Sequence, residues 1–176
     1  MSQENHSKAG GEVILIALGS NLESPEHGSP QNALEAAVAA LPDHGIAVVQ
    51  CSSWYRSAPV PASDQPWYVN GAACVAGDLQ AEDLLGRLHD VERRFGRIRR
   101  RRNESRILDL DLLAYGSRRT EEGSALVLPH PRIAERAFVL KPLMELVPNW
   151  RHPVTGETPA EMLARLPDSR AVKRIL

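Results

Sequence analysis

Between Leu108 and Leu112 the chain reads Leu-Asp-Leu-Asp-Leu. Side chains of an extended strand alternate between its two faces, so this pattern specifies a strand with leucines on one side and Asp109 and Asp111 on the other. A fold that holds this strand must bury one face and find a use for two carboxylates on the other. Val13 to Leu18 (VILIAL) is a short continuous apolar run ended by Gly19-Ser20-Asn21, which predicts a buried strand running into a turn. Ser29 followed by Pro30 opens a helix whose apolar positions are Leu34, Ala37, Val38 and Leu41, and Pro42 and Gly45 stop it. Ile46 to Tyr55 and Tyr68 to Ala76 read as two strands joined by a long segment containing Pro59 and Pro61. Leu84, Leu85, Leu88, Val91 and Phe95 mark the buried stripe of a second helix, from about Gln80 to Phe95, closed by Gly96.

With the strand at 108–112 the order is β-α-β-β-α-β. It predicts an α+β fold with a ferredoxin-like βαββαβ core, an antiparallel sheet and C-terminal additions. Those additions are a loop at 116–131, a short helix near Pro142 to Val147, and a last helix opened by Thr158 with Glu161 at capping-box spacing. A length of 176 residues suits one domain, here 12–176, after a polar, disordered tail at 1–11. The expected unit is a monomer.

Lysine plus arginine number 21 against 22 acidic residues, so the whole molecule has no bias towards nucleic acid or an anionic membrane. Cys51 and Cys74 lack metal or disulfide-framework spacing and are expected to be reduced core residues. No apolar run reaches the roughly 18 residues of a membrane span, and the first residues lack a signal peptide's apolar middle, so the expected location is the cytoplasm.

Two carboxylates side by side repel unless a cation lies between them, and Mg²⁺ prefers such hard oxygen ligands. Taken alone, the Asp-Leu-Asp pattern reads more readily as two solvated acids on an open sheet face. The segment before it changes the balance: Arg93, Arg94, Arg97, Arg99, Arg100, Arg101, Arg102 and Arg106 place eight arginines within fourteen residues. Guanidinium forks match phosphate oxygens, and beside a carboxylate-bound metal they complete a polyphosphate site. Without the acids, the same run would read as a solvated basic loop or a nucleic-acid patch. Glu92 is either an exposed ion-pairing helix acid or a group that reaches the metal or ATP. His130, between Pro129 and Pro131, is either a packed loop residue or a neutral donor to a phosphate or an adenine. The other histidines show no metal-ligand spacing. Tyr68 with Asn70, and Phe138 after Arg136, suit either a core or a slot for a flat heterocycle.

Five segments in this order resemble the 6-hydroxymethyl-7,8-dihydropterin pyrophosphokinase family: ALGSNL at 17–22, SSWYRSAP at 52–59, DQPWYVNGA at 64–72, VERRFGRIR running on to SRILDLDLLAYG between 91 and 116, and LPHPRIAERAFVLKPL at 128–143. The resemblance implies transfer of pyrophosphate from ATP to the hydroxymethyl group of the pterin, with AMP released. It implies that Asp109 and Asp111 hold two Mg²⁺ ions on the ATP phosphates. Arg97 and Arg106 clamp the transferred group, and Glu92, Arg99 and His130 lie at ATP. The pterin stacks between Tyr68 and Phe138, its edge is read by Asn70 and by backbone near Ser57 and Val60, and Gly19, Ser20, Asn21 and Arg136 line the same pocket. Between Gly96 and Arg106 this chain is one residue shorter than some members and has Asn103-Glu104-Ser105 where many carry a Gly-Pro or Ala-Pro pair. That loop closes over the substrates in the family, so the turnover rate is expected to differ while the reaction is kept.

Two other classes compete. A single-strand RNA-binding module accounts for the arginines but leaves the two aspartates as anions on the phosphate path. A metal-dependent nuclease accounts for the aspartates but gives no role to the SSWYR and WYVN segments.

Overall fold

The computed structural model describes residues 12–97, 105–121, 123–167 and 171–176. The expected tail at 1–11 and Arg99 to Arg102 lie outside them. The elements are β1 (Ile14–Ser20), α1 (Pro30–Ala40), β2 (Ala47–Cys51), β3 (Tyr55–Ser57), β4 (Tyr68–Ala76), α2 (Ala81–Arg94), β5 (Asp109–Tyr115), α3 (Ala137–Leu146), α4 (Pro159–Ala164) and β6 (Lys173–Arg174). The strands form one antiparallel sheet in the order β5-β1-β4-β3-β6, with β2 also paired to β4. β4 therefore lies between β1 and the β2–β3 pair, as in the expected split βαβ core.

Local chemistry sets the ends of the helices. Ser29 accepts the Asn32 N–H at the start of α1, and Thr158 and Glu161 form a reciprocal capping box on α4. At the end of α2, Gly96 has φ +83°. The Gly96 N–H donates to Arg93 O and the Arg97 N–H to Glu92 O, both at 3.0 Å, a Schellman closure that turns the chain at Arg97 back over the helix.

Alternation along the strands divides the apolar residues between two cores. On one face Ile14, Ile16 and Leu18 of β1 and Leu110 and Leu112 of β5 pack under Leu34 and Ala37 of α1 and Leu84, Leu88 and Val91 of α2. On the other face Leu15, Ala72, Leu113 and Ala114 pack against Val139, Leu140, Leu143 and Leu146 of α3 and Met162 of α4. A β-bulge lets β5 contribute to both. The register to β1 shifts between Leu15 and Ile16, which leaves Leu113 unpaired, and the Leu113 carbonyl takes the His130 N–H at 2.8 Å.

The structure departs from the sequence reading in four places. Gly19 and Ser20 continue β1 and do not form a turn, because both pair with β4. The strand expected over 46–55 is broken at Ser52, whose Oγ accepts the Ala72 N–H in place of a ladder carbonyl. α3 begins at Ala137 and runs through Pro142. The stripe Val139, Leu140, Leu143 and Leu146 gains more by burial than the roughly 3 kcal/mol that an interior proline costs. β6, too short and polar to show periodicity, pairs with β3. Cys51 and Cys74 are free thiols on strands but only half-buried, and burial raises the pKa of both.

Candidate active site

α3 and α4 do not cover the whole of the second face. Where they stop, a cleft of about 160 Å³, open to solvent, lies over the ends of β1, β4 and β5. Its walls include Gly19, Ser57, Val60, Tyr68, Asn70, Arg106, Asp109, Asp111, Arg136 and Phe138. Ten expected site residues, scattered from position 19 to 138, are thereby brought together. Side chains crowd two glycines beside the cleft, severely at Gly71 and mildly at Gly19. A Cβ at Gly71 would sit 2.6 Å from the Trp54 ring, and one at Gly19 would sit 3.3 Å from Asn70 Oδ1. Asn70 is buried and donates to Ser57 Oγ at 2.8 Å, which fixes the amide at the cleft wall.

At the β5 end of the cleft, arginines and acids interlock. Arg97 Nη1 pairs with Glu92 Oε1 and, at 2.5 Å, with Asp109 Oδ1. Arg106 Nη1 donates to Asp109 Oδ2 at 2.7 Å, and Arg136 Nη1 lies 3.6 Å from Asp111 Oδ2. Burial, and next the charge of Asp109, raises the Asp111 pKa to about 6. Such a carboxylate is poorly neutralised by the protein alone and suits an added cation. Arg136 Nε is buried and has no hydrogen-bond partner among the described residues, although the guanidinium also sits 5.6 Å from the Phe138 ring centroid.

Glu92 is not the exposed helix acid of one sequence reading. It is 1% exposed and accepts the Leu110 N–H at 2.7 Å, which caps the outer edge of β5 between the two aspartates. The same carboxylate aligns Arg97, so α2 and β5 are joined at the site. Glu92 and Arg97 also line a second depression with His89 and Arg93. His89 was missed, although three residues before Glu92 places it on the same side of a helix. His130 is half-buried, and its pKa falls to about 4, chiefly through burial and then through Arg136 and Arg132. Its Nδ1 accepts the Arg132 N–H at 3.1 Å, which leaves the proton of the neutral ring on Nε2.

Two expected cleft residues are elsewhere. Ser20 and Asn21 are 0% and 1% exposed and do not line the cleft. Alternation turns Ser20 away from Gly19, and the Asn21 side chain is used in hydrogen bonds to Gln65 and Pro66. Gln65 itself lines the cleft and was not singled out, although it lies inside the DQPWYVN segment. Arg99 lies outside the described residues. Among the described residues no group of three or more His, Cys, Asp or Glu is placed to hold a metal, so the aspartate pair would need further oxygen ligands from substrate and water.

Comparison with known proteins identifies the architecture. The family model described as 7,8-dihydro-6-hydroxymethylpterin-pyrophosphokinase (HPPK) matches residues 15–148. A 2-amino-4-hydroxy-6-hydroxymethyldihydropteridine pyrophosphokinase of Synechocystis sp. is 39% identical over 153 residues, covering 86% of this chain and 75% of that one. A protein of the same name from Methylorubrum extorquens is 40% identical over 164 residues, covering 91% and 96%. Among solved structures, the Plasmodium falciparum HPPK-DHPS crystal structure with SDX-DHP aligns at a TM-score of 0.66 and 12% identity, over 94% of this chain and 47% of that chain. This chain thus spans less than half of that longer protein, and the likeness to it concerns the fold. With the family model running from β1 through α3 and so taking in the cleft and the arginine–aspartate cluster, this chain belongs to the 7,8-dihydro-6-hydroxymethylpterin-pyrophosphokinase family.

Proposed function

We infer that this chain transfers pyrophosphate from ATP to the hydroxymethyl group of 6-hydroxymethyl-7,8-dihydropterin and releases AMP, a step of folate biosynthesis. The observation that carries this reading is the junction of two chemistries in one cleft. Tyr68, Phe138 and Asn70 offer ring faces and an amide to a flat heterocycle, Arg106 and Arg136 offer positive charge to phosphates, and Asp109 and Asp111 offer oxygens to a metal ion. We read the unit as a monomer with a single domain at 12–176. ATP as substrate fits a cytoplasmic reaction, and among the described residues no helix is long and apolar enough to cross a membrane.

Asp109 and Asp111 would hold Mg²⁺, two ions in our reading, because both are hard oxygen donors on one strand face and Asp111 is short of a cation. Bound magnesium supplies charge neutralisation and orientation of the phosphate oxygens. Arg97 and Arg106 are already engaged by Glu92 and Asp109, and Arg136 reaches Asp111 only at 3.6 Å, so a triphosphate brings negative charge that these side chains do not offset. Tyr68 and Phe138 hold the pterin ring, and Asn70 with backbone near Ser57 and Val60 reads its edge. The hydroxyl oxygen then forms its bond to the β-phosphorus as the bond from that phosphorus to the α,β-bridging oxygen breaks, AMP departs with that oxygen, and the hydroxyl proton is released to solvent. Arg97 and Arg106 steady the developing charge on the transferred group. The neutral His130 donates its Nε2–H to the nucleotide, Glu92 and Arg99 are assigned to ATP as the family resemblance implies, and Arg136 lines the cleft on the pterin side.

The test is incubation of the purified chain with ATP, Mg²⁺ and the pterin, with a no-pterin control, followed by separation of nucleotides. AMP that depends on pterin supports the reading. ADP would mean γ-phosphoryl transfer, and no consumption of ATP would return RNA binding to consideration.

A further inference from the structure

We propose that Asn21 is a positioning residue that ties the pterin-binding wall of the cleft to the arginine acting on phosphate. The proposal rests on the function inferred above but not on any contact between Asn21 and a ligand. Asn21 is 1% exposed, and both polar ends of its side chain are used. Its Nδ2 donates to Gln65 Oε1 at 3.3 Å and to Pro66 O at 3.1 Å. Its Oδ1 accepts the Arg106 N–H at 2.9 Å, and the Asn21 N–H donates to Arg106 O at 3.1 Å.

These bonds join two segments far apart in sequence. Gln65 Oε1 also accepts the Tyr68 hydroxyl at 3.3 Å, so one arm of Asn21 ends at an aromatic wall of the cleft. The other arm fixes the backbone of Arg106, three residues before Asp109 and within hydrogen-bond reach of it. Gln65, Tyr68 and Arg106 line the cleft, whereas Asn21 stands behind them. A shift of the wall at 65–68 therefore reaches Arg106 through the Asn21 amide as well as through the direct contact of the Tyr68 hydroxyl with Arg106. The residue type is restrictive. Aspartate keeps the acceptor for Arg106 but replaces two donors with a carboxylate facing two carbonyl-type oxygens, and alanine removes all three bonds.

The test compares wild type, Asn21→Ala, Asn21→Asp, Gln65→Ala and the Asn21→Ala/Gln65→Ala double variant. Folding is checked by circular dichroism and thermal melting, pterin affinity by calorimetry, and turnover by AMP release. Asn21→Ala is expected to lower kcat by about 10- to 100-fold, because a misplaced Arg106 costs catalysis, and to weaken pterin binding several-fold. Its effect on pterin affinity and that of Gln65→Ala should combine to less than their sum, because they share one connection. Should the alanine variant fail to fold, the isosteric Asn21→Asp carries the test through the Gln65–Pro66 arm, with weakened pterin binding expected. A folded variant that melts earlier yet keeps wild-type kcat and pterin affinity overturns the proposal, as does strict additivity with Gln65→Ala. Wild-type chain that forms no pterin-dependent AMP overturns the functional reading itself, a result distinguishable from both.

Discussion

The two faces of the sheet share their strands and differ in how completely they are covered. Under α1 and α2 the leucines and isoleucines of β1 and β5 are fully enclosed, and that face is a packed core. Under α3 and α4 the cover ends short of Gly19, Asn70, Asp109 and Asp111, and the same strands there present polar side chains to a cleft. The contrast separates stability from activity on either side of one strand. Leu110 and its neighbours Asp109 and Asp111 differ by one position and face opposite duties.

The comparison is broken most directly at the aspartates. Asp109→Ala or Asp111→Ala should reduce AMP formation by about a thousandfold or more in a chain that still folds, since turnover depends on their contact with metal and phosphates, and Asp109→Ala should also melt earlier because Arg97 and Arg106 each lose a partner. Near-normal turnover in either variant would remove the metal assignment. Leu110→Ala is the converse, a fully buried side chain whose loss should cost about 2–5 kcal/mol in denaturant unfolding, with kcat retained by the molecules that remain folded. If activity fell far more than stability, the division between the faces would fail. Phe138→Ala should weaken pterin binding by about tenfold and leave nucleotide binding alone, because only ring stacking and its buried area are lost. Unchanged pterin titrations would sink the stacking assignment.

A smaller effect concerns pH. The folded pKa of Asp111, about 6, lies above its ordinary value of 3.8. The folded state therefore binds the proton more tightly, and the stability that Asp111 contributes is present at low pH and lost as pH rises through 6. Without magnesium, Asp111→Asn should melt above wild type at pH 7–8, by ~1–3 °C after allowance for solvent screening, and this advantage should vanish below pH 4. The smallest expected change is at His130. With its pKa lowered to about 4, its ring should stay neutral in an NMR titration down to pH 5, and a midpoint near 6.5 would contradict its buried, arginine-flanked setting.

Much of the site was legible because its chemistry is local. The alternation at 108–112 determines that Asp109 and Asp111 share a face, whereas Arg106 became a candidate through the family signature and its contact with Asp109 is made by the turn before β5. Gly96 after the apolar stripe of α2 marks the turn that brings Arg97 back, and Thr158 with Glu161 marks α4. The family segments supplied Tyr68, Asn70, His130 and Phe138 as candidates, and the cleft does bring Tyr68, Asn70 and Phe138 together. Other features depend on partners distant in sequence. Whether Glu92 faced solvent or Leu110 was set by the packing of α2 on the open edge of β5. Whether Asn21 met a ligand or Gln65 and Arg106 was set by how two loops meet behind the cleft. The start of α3 at Ala137 was set by an apolar face waiting to be covered. The sequence by itself determined which faces are apolar, where helices are capped and which charges lie side by side, since these follow from dihedral preference and period. Only the tertiary structure decided which buried polar group satisfies which other, because a hydrogen bond between residues 21 and 65 leaves no periodic trace in the chain.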